Sequence, residues 1–130
     1  MTLGYATTLR NAQLDQVTTA VGTSGKLRIY DGSRPATGGS VTTLLAELPC
    51  SATFAPAASG GVLTVNAVTT DASADATGTA TWFRVVTSAN AFVMDGSVGT
   101  SGADCNLNST SLTAGGSVAV SSFTITAGNA

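Results

Sequence analysis

Histidine is absent from this chain, and charge is scarce. Without histidine, the commonest metal ligand and the commonest general base are both missing. Charged residues fill 9 % of the 130 positions, against about 25 % in an average globular domain. One lysine and four arginines cannot present the multi-phosphate footprint of a nucleic-acid binder. Two cysteines cannot build a four-thiolate zinc site. No apolar run approaches the roughly 18–20 residues that span a bilayer. The first residues, Met1 to Ala6, lack a basic region leading into an apolar one, so no secretory signal is expected. What is abundant is Ala, Thr, Gly, Ser and Val, with a net charge of -2. The length suits one domain with a core of its own.

One helix is expected, over Thr8 to Val21. Leu14, Val17 and Val21 recur at helical spacing, Thr7 or Thr8 can cap the start, and Gly22 suits the left-handed position after the last turn. From Lys26 the pattern turns to β, rich in stiff, β-branched Val and Thr. Strands are expected at Lys26–Tyr30, Val41–Leu48, Val62–Val68, Thr77–Thr87, Phe92–Val98, Cys105–Leu107 and Val118–Thr126. In the last, the apolar parity changes between Val120 and Phe123, which predicts a bulge near Ser121–Ser122. Gly38-Gly39, Gly60-Gly61 and Gly115-Gly116 each precede a valine-led strand and read as hairpin turns, as do Asp31-Gly32 and Asp95-Gly96. Ser51–Ser59 and Thr69–Thr77 are the expected long loops. The fold class is all-β: an antiparallel β-sandwich or jelly roll with a short N-terminal helix or arm. Residues 1–25 form the arm and helix, and 26–130 the single sandwich domain.

Reaction chemistry is not visible. Asp71-Ala-Ser-Ala-Asp75 has the alternation of a calcium loop, but no glycine at its sixth position and no glutamate at its twelfth, so it reads as a solvated turn. The seven acids form no nucleophile–base–orienter set. Cys50 and Cys105 read as free thiols, Cys105 as a small buried apolar residue beside Leu107. Trp82 reads as a core anchor, with Arg84 on its face toward the rim or paired with a carboxylate. A sugar-stacking platform at Trp82 or Tyr30 is the alternative. No catalytic residue, cofactor or metal is expected, nor any nucleic-acid or membrane partner.

A β-sandwich guards its edge strands with charge, and this chain has little to give. A net charge near zero favours association. Both features predict that neighbours cover part of the surface, the edges included. The candidate interaction residues are Leu9, Arg10, Leu14 and Val17 on the helix, Tyr30 at the end of the first strand, and Arg34 just beyond it.

The residues also carry a resemblance. Leu9-Arg10-Asn11-Ala12-Gln13-Leu14-Asp15, leading to Leu27-Arg28-Ile29-Tyr30-Asp31-Gly32, is similar to the start of a family of small tailed-bacteriophage virion proteins. So are Ala72 to Ala80 running into Phe83-Arg84, the Asp95-Gly96-Ser97-Val98 turn, and Phe123 to Asn129. The likeness spans nearly the whole chain. It implies a structural virion protein, assembled in the host cytoplasm, of the capsid decoration or cement kind. Such proteins often form trimers that bridge neighbouring capsid subunits. The partners it implies are further copies of the chain and the major capsid protein or other virion proteins. A tail or neck component, or a carbohydrate-binding sandwich of a tail fibre or adhesin, are the alternatives.

Overall fold

A computed structural model describes residues 3–127. The ends of the expected 1–25 and 26–130 segments, and the last residues of the Phe123–Asn129 motif, lie outside the described residues. One helix, α1 (Thr7–Val21), precedes nine strands: β1 (Lys26–Tyr30), β2 (Leu44–Pro49), β3 (Val62–Thr64), β4 (Gly78–Thr79), β5 (Trp82–Val86), β6 (Phe92–Gly99), β7 (Cys105–Leu107), β8 (Ser111–Leu112) and β9 (Val120–Thr126). Seven strands make one sheet in the order β2-β1-β5-β6-β7-β9-β3, while β4 and β8 pair separately. The protein is therefore mostly β with one N-terminal helix. The sheet is mixed: β6 and β7 run parallel, unlike the expected all-antiparallel arrangement.

The sheet curls around its core. Phe83 on β5 and Phe123 on β9 have two strands between them in the sheet order, yet their ring centroids are 5.0 Å apart at 69°. Phe54 closes on Phe123 edge-to-face at 6.1 Å. Around these rings pack Leu27, Ile29, Leu48, Leu63 and Leu107, all sealed from solvent. Alternating apolar residues in β1 and β5 supply this face, since Ile29 pairs with Phe83 and Leu27 with Val85. The predicted bulge is present: Asn106 faces Ser122 and Leu107 faces Val120, leaving Ser121 over, and its Oγ donates to the Asn106 carbonyl.

α1 is part of the domain rather than a detached arm. Leu14 and Val21 are buried in the core. Asp15 Oδ1 accepts from the Ala58 N–H at 2.8 Å, and Asn11 Oδ1 from the Gly61 N–H at 2.9 Å. The helix starts at Ala6 without a side-chain cap, so neither Thr7 nor Thr8 plays that role; Gly22 has the expected left-handed φ of 70°.

Other segments of the chain cover parts of both sheet edges. Along β2, the Leu45 and Pro49 carbonyls accept from the N–H groups of Asp75 and Thr69, and the Glu47 N–H donates to Asp71 Oδ2. Along β3, residues 54–59 fold back through a tight turn in which Ser59 and Val62 exchange both hydrogen bonds. Gly60 and Gly61 have φ of 61° and 76° there, the pair of positive values a two-residue hairpin demands. The other two Gly-Gly pairs differ. Gly39 N–H donates to the Ala36 carbonyl and Gly116 N–H to that of Thr113, with only the first glycine of each pair at positive φ. These are type II turns.

Two further expectations change. The Thr77–Thr87 run splits into β4 and β5, because Ala80 and Thr81 carry the chain from the small sheet to the large one, bonding to the Thr110 and Tyr30 carbonyls. Asp95-Gly96 is no turn. It lies inside β6, where a side chain at Gly96 would overlap the Phe83 ring.

Candidate functional site

Alternation in β1 and β5 sends Leu27, Ile29, Phe83 and Val85 to the core and their neighbours to the opposite face. That face gathers most of the chain's positive charge. The registers align Glu47, Arg28, Arg84 and Asp95 in one row across β2, β1, β5 and β6. The two arginines sit side by side, and each is neutralised from outside. Arg28 Nε donates to Glu47 Oε2 at 2.8 Å. Arg84 grips Asp95 with two bonds, Nε to Oδ1 at 2.6 Å and Nη2 to Oδ2 at 2.9 Å. The Arg84 side chain is 10 % exposed and that of Asp95 4 %, against 23 % and 36 % for Arg28 and Glu47. The Asp95 hydrogen bond raises the Arg84 pKa further, overcoming the opposing effect of burial. Lys26 Nζ and Arg28 Nη2 both donate to Asn90 Oδ1, in the turn between β5 and β6.

A second row places Tyr30 beside Trp82, their rings stacked at 4.4 Å and 16°. Residues 31–43 then lie over this face as a loop. Trp82 Nε1 donates to the Asp31 carbonyl and to Thr42 Oγ1, each at 3.0 Å. Arg84 Nη2 donates to the Gly39 carbonyl at 2.9 Å, and Asp95 Oδ2 accepts from the Gly38 N–H at 3.2 Å. Gly38 rests on the Phe92 ring, which also lies 5.0 Å from the Arg84 guanidinium carbon. This cover leaves every residue of β5 buried, on both faces. It also keeps Val41 out of the expected Val41–Leu48 strand, which begins at Leu44.

The remaining reactive groups are quiet. Cys50 and Cys105 are free and buried. Burial pushes the thiol of Cys50 up to about 11 and that of Cys105 up to about 12, so both stay protonated at neutral pH. Asp71 accepts from Ser73 N–H and Glu47 N–H, and Asp104 from the N–H and Oγ–H of Ser97. No group of three or more potential metal ligands occurs among the described residues. A cavity of about 270 Å³ beside β8 is lined by Asn108, Ser109, Ser111, Thr113 and Ser117 with Leu112, and carries no charged group.

The six candidate interaction residues do not form one patch. Leu14 and Tyr30 are buried, because α1 docks on the core and loop 31–43 covers the stack. Val17 is half-buried against the core. Arg10 lies across Gly61, with Nη2 donating to the Ala127 carbonyl at 3.0 Å. Only Leu9 and Arg34 are exposed. Trp82 and Tyr30, the alternative sugar-stacking platform, are both buried. What periodicity did not reveal is the exposed apolar company of Leu9: Leu3 at 59 % and Tyr5 at 36 % on the segment before the helix. No family model matches the chain, and neither a curated protein nor a solved structure is significantly similar to it.

Proposed function

We propose that this protein is a structural, non-catalytic virion component, a capsid decoration protein that bridges and stabilises neighbouring capsid subunits. The observation that carries this reading is the exposure of three large apolar side chains near the N-terminus. Leu3, Tyr5 and Leu9 stay exposed at the start of a helix whose other face is locked into the core. A folded body with an apolar foot suits attachment to a shell of repeated subunits, where many weak contacts add up. The resemblance of the sequence to small bacteriophage virion proteins supports the same role, with the protein assembled in the host cytoplasm and held in the particle. We also infer that the curled sheet is a sandwich in its packing, with β2-β1-β5-β6 facing β7-β9-β3. The Phe83–Phe123 contact supports that description.

The test compares shells with and without the bound protein for release of their contents on heating. Shells carrying it withstand higher temperature, and a Leu3→Asp/Leu9→Asp variant binds them weakly. Equal release temperatures refute the decoration role. Imaging that finds the copies confined to the tail or neck refutes the capsid position.

A further inference from the structure

We propose that copies of this chain bind one another through Arg34 of one and Asp75 of the next. In so charge-poor a chain, nearly every charged side chain is tied into its own fold. Arg10 holds a carbonyl, Lys26 and Arg28 hold Asn90, and Arg28 and Arg84 hold carboxylates. Asp15, Asp31, Asp71 and Asp104 each accept from backbone N–H groups. Among the described residues, Arg34 and Asp75 are the two charged side chains with no such tie, and both are exposed.

One unpartnered base and one unpartnered acid on the same chain are complementary between copies. They do not meet within a copy. Arg34 rides on loop 31–43 over one face of the sheet, whereas Asp75 sits on the segment that closes the β2 edge and donates its own N–H to Leu45. Both segments are held by hydrogen bonds, so little order is lost on contact. The loop brings apolar surface with it: Val41 is 48 % exposed, and Phe92, under Gly38, is 41 % exposed. With a net charge of -2, copies repel only weakly, and the Arg34–Asp75 pair fixes their orientation.

This inference deepens the proposed structural role and rests on it, but it uses residues other than the apolar foot. Sedimentation velocity across a range of concentrations tests it on the full chain. Wild type associates. Arg34→Glu and Asp75→Arg each raise the dissociation constant by about tenfold or more, since each sets like charges together. The double variant Arg34→Glu/Asp75→Arg restores association, because the swapped charges again attract. Melting curves like wild type show that the variants fold. A wild type that stays monomeric overturns the inference, as does a double variant no tighter than the singles. A monomeric chain that still stabilises shells overturns this contact alone, and an oligomer that leaves shells unchanged overturns the decoration role alone.

Discussion

Replacing Asp95 by alanine strands the Arg84 guanidinium under loop 31–43. In the native protein Asp95 takes two bonds from Arg84 and one from the Gly38 N–H. Its side chain is 4 % exposed and that of Arg84 10 %, so water does not replace the lost carboxylate while the loop stays in place. Removing one member of a buried pair costs about 3–5 kcal/mol. Arg84 keeps the Gly39 carbonyl and its position near the Trp82 and Phe92 rings, at 5.4 and 5.0 Å, which places the expected loss near the lower end of that range. For a domain of this size, a loss of about 3 kcal/mol lowers the melting temperature by roughly 10 °C.

Urea unfolding followed by fluorescence of Trp82, the single tryptophan, reads the effect directly. The comparison that isolates charge from packing is Arg84→Met/Asp95→Leu. Replacing a buried ion pair by apolar side chains is commonly neutral or stabilising, so the double variant is expected within about 1 kcal/mol of wild type. Asp95→Ala at less than about 0.5 kcal/mol would show that the pair behaves as a solvated surface bridge. A double variant as unstable as the two singles combined would show that shape, not charge, is what the site requires.

Three further outcomes are expected. Leu14→Ala, which opens a hole under α1, lowers stability by about 2–5 kcal/mol, whereas Leu9→Ala changes it by less than about 0.5 kcal/mol; equal effects in urea unfolding would mean that the helix is not part of the core. Gly96→Ala drives a methyl group into the Phe83 ring and costs about 1–3 kcal/mol by the same measurement, and a neutral result would contradict the packing of β6 on β5. The thiols make stability fall in alkali: both are protonated in folded and unfolded chains below pH 9, and above it only the unfolded chain readily gives up its protons, up to about pH 11 for Cys50 and 12 for Cys105. A melting profile against pH should therefore fall less steeply above pH 9 in Cys50→Ala/Cys105→Ala than in wild type, and identical slopes would contradict thiol burial.

The parts of the fold legible in the sequence are those set by local alternation. Leu27 and Ile29 against Lys26 and Arg28 mark β1 and its buried face, and the parity slip between Val120 and Phe123 marks the bulge. Cys105–Leu107 is a strand in both readings, because alternating apolar residues suffice to place it. Sheet order and chain crossings were not legible. The parallel pairing of β6 with β7 depends on how residues 100–104 lead the chain back, and no residue type encodes that. Loop 31–43 was hidden because Val41-Thr42-Thr43 has strand composition, yet Thr42 bonds to Trp82 and the Asp31 carbonyl instead of joining a ladder. Of the six candidate interaction residues, the sequence did not separate exposed Leu9 and Arg34 from buried Tyr30, whose cover comes from a loop rather than a strand. Asp75 gives no local sign of being unpartnered, because that depends on the side chains every other acid finds.

The buried charges and the irregular loop explain each other. A segment without secondary structure can cover a sheet only if its backbone groups find partners there. A wholly apolar face would leave the Gly38 N–H and the Gly39 carbonyl unsatisfied, at a penalty of about 1–3 kcal/mol each, and would leave the Asp31 carbonyl with Thr42 Oγ1 as its one donor. Trp82, Arg84 and Asp95 present a donor, a donor and an acceptor to those three groups. The same pair neutralises itself within the sheet, so no net charge is buried. Alternation in β5 that places Trp and Arg opposite Phe and Val is thus the pattern of a strand with an aliphatic core on one side and a loop on the other. That arrangement also holds the loop still, which is the condition for Arg34 to act as a contact rather than as a solvated tip. If Asp95→Ala frees the loop, association through Arg34 should weaken along with stability, although Arg34 itself is untouched. Sedimentation of Asp95→Ala below its melting temperature checks that link, and association as tight as wild type would show that loop order contributes nothing to the contact.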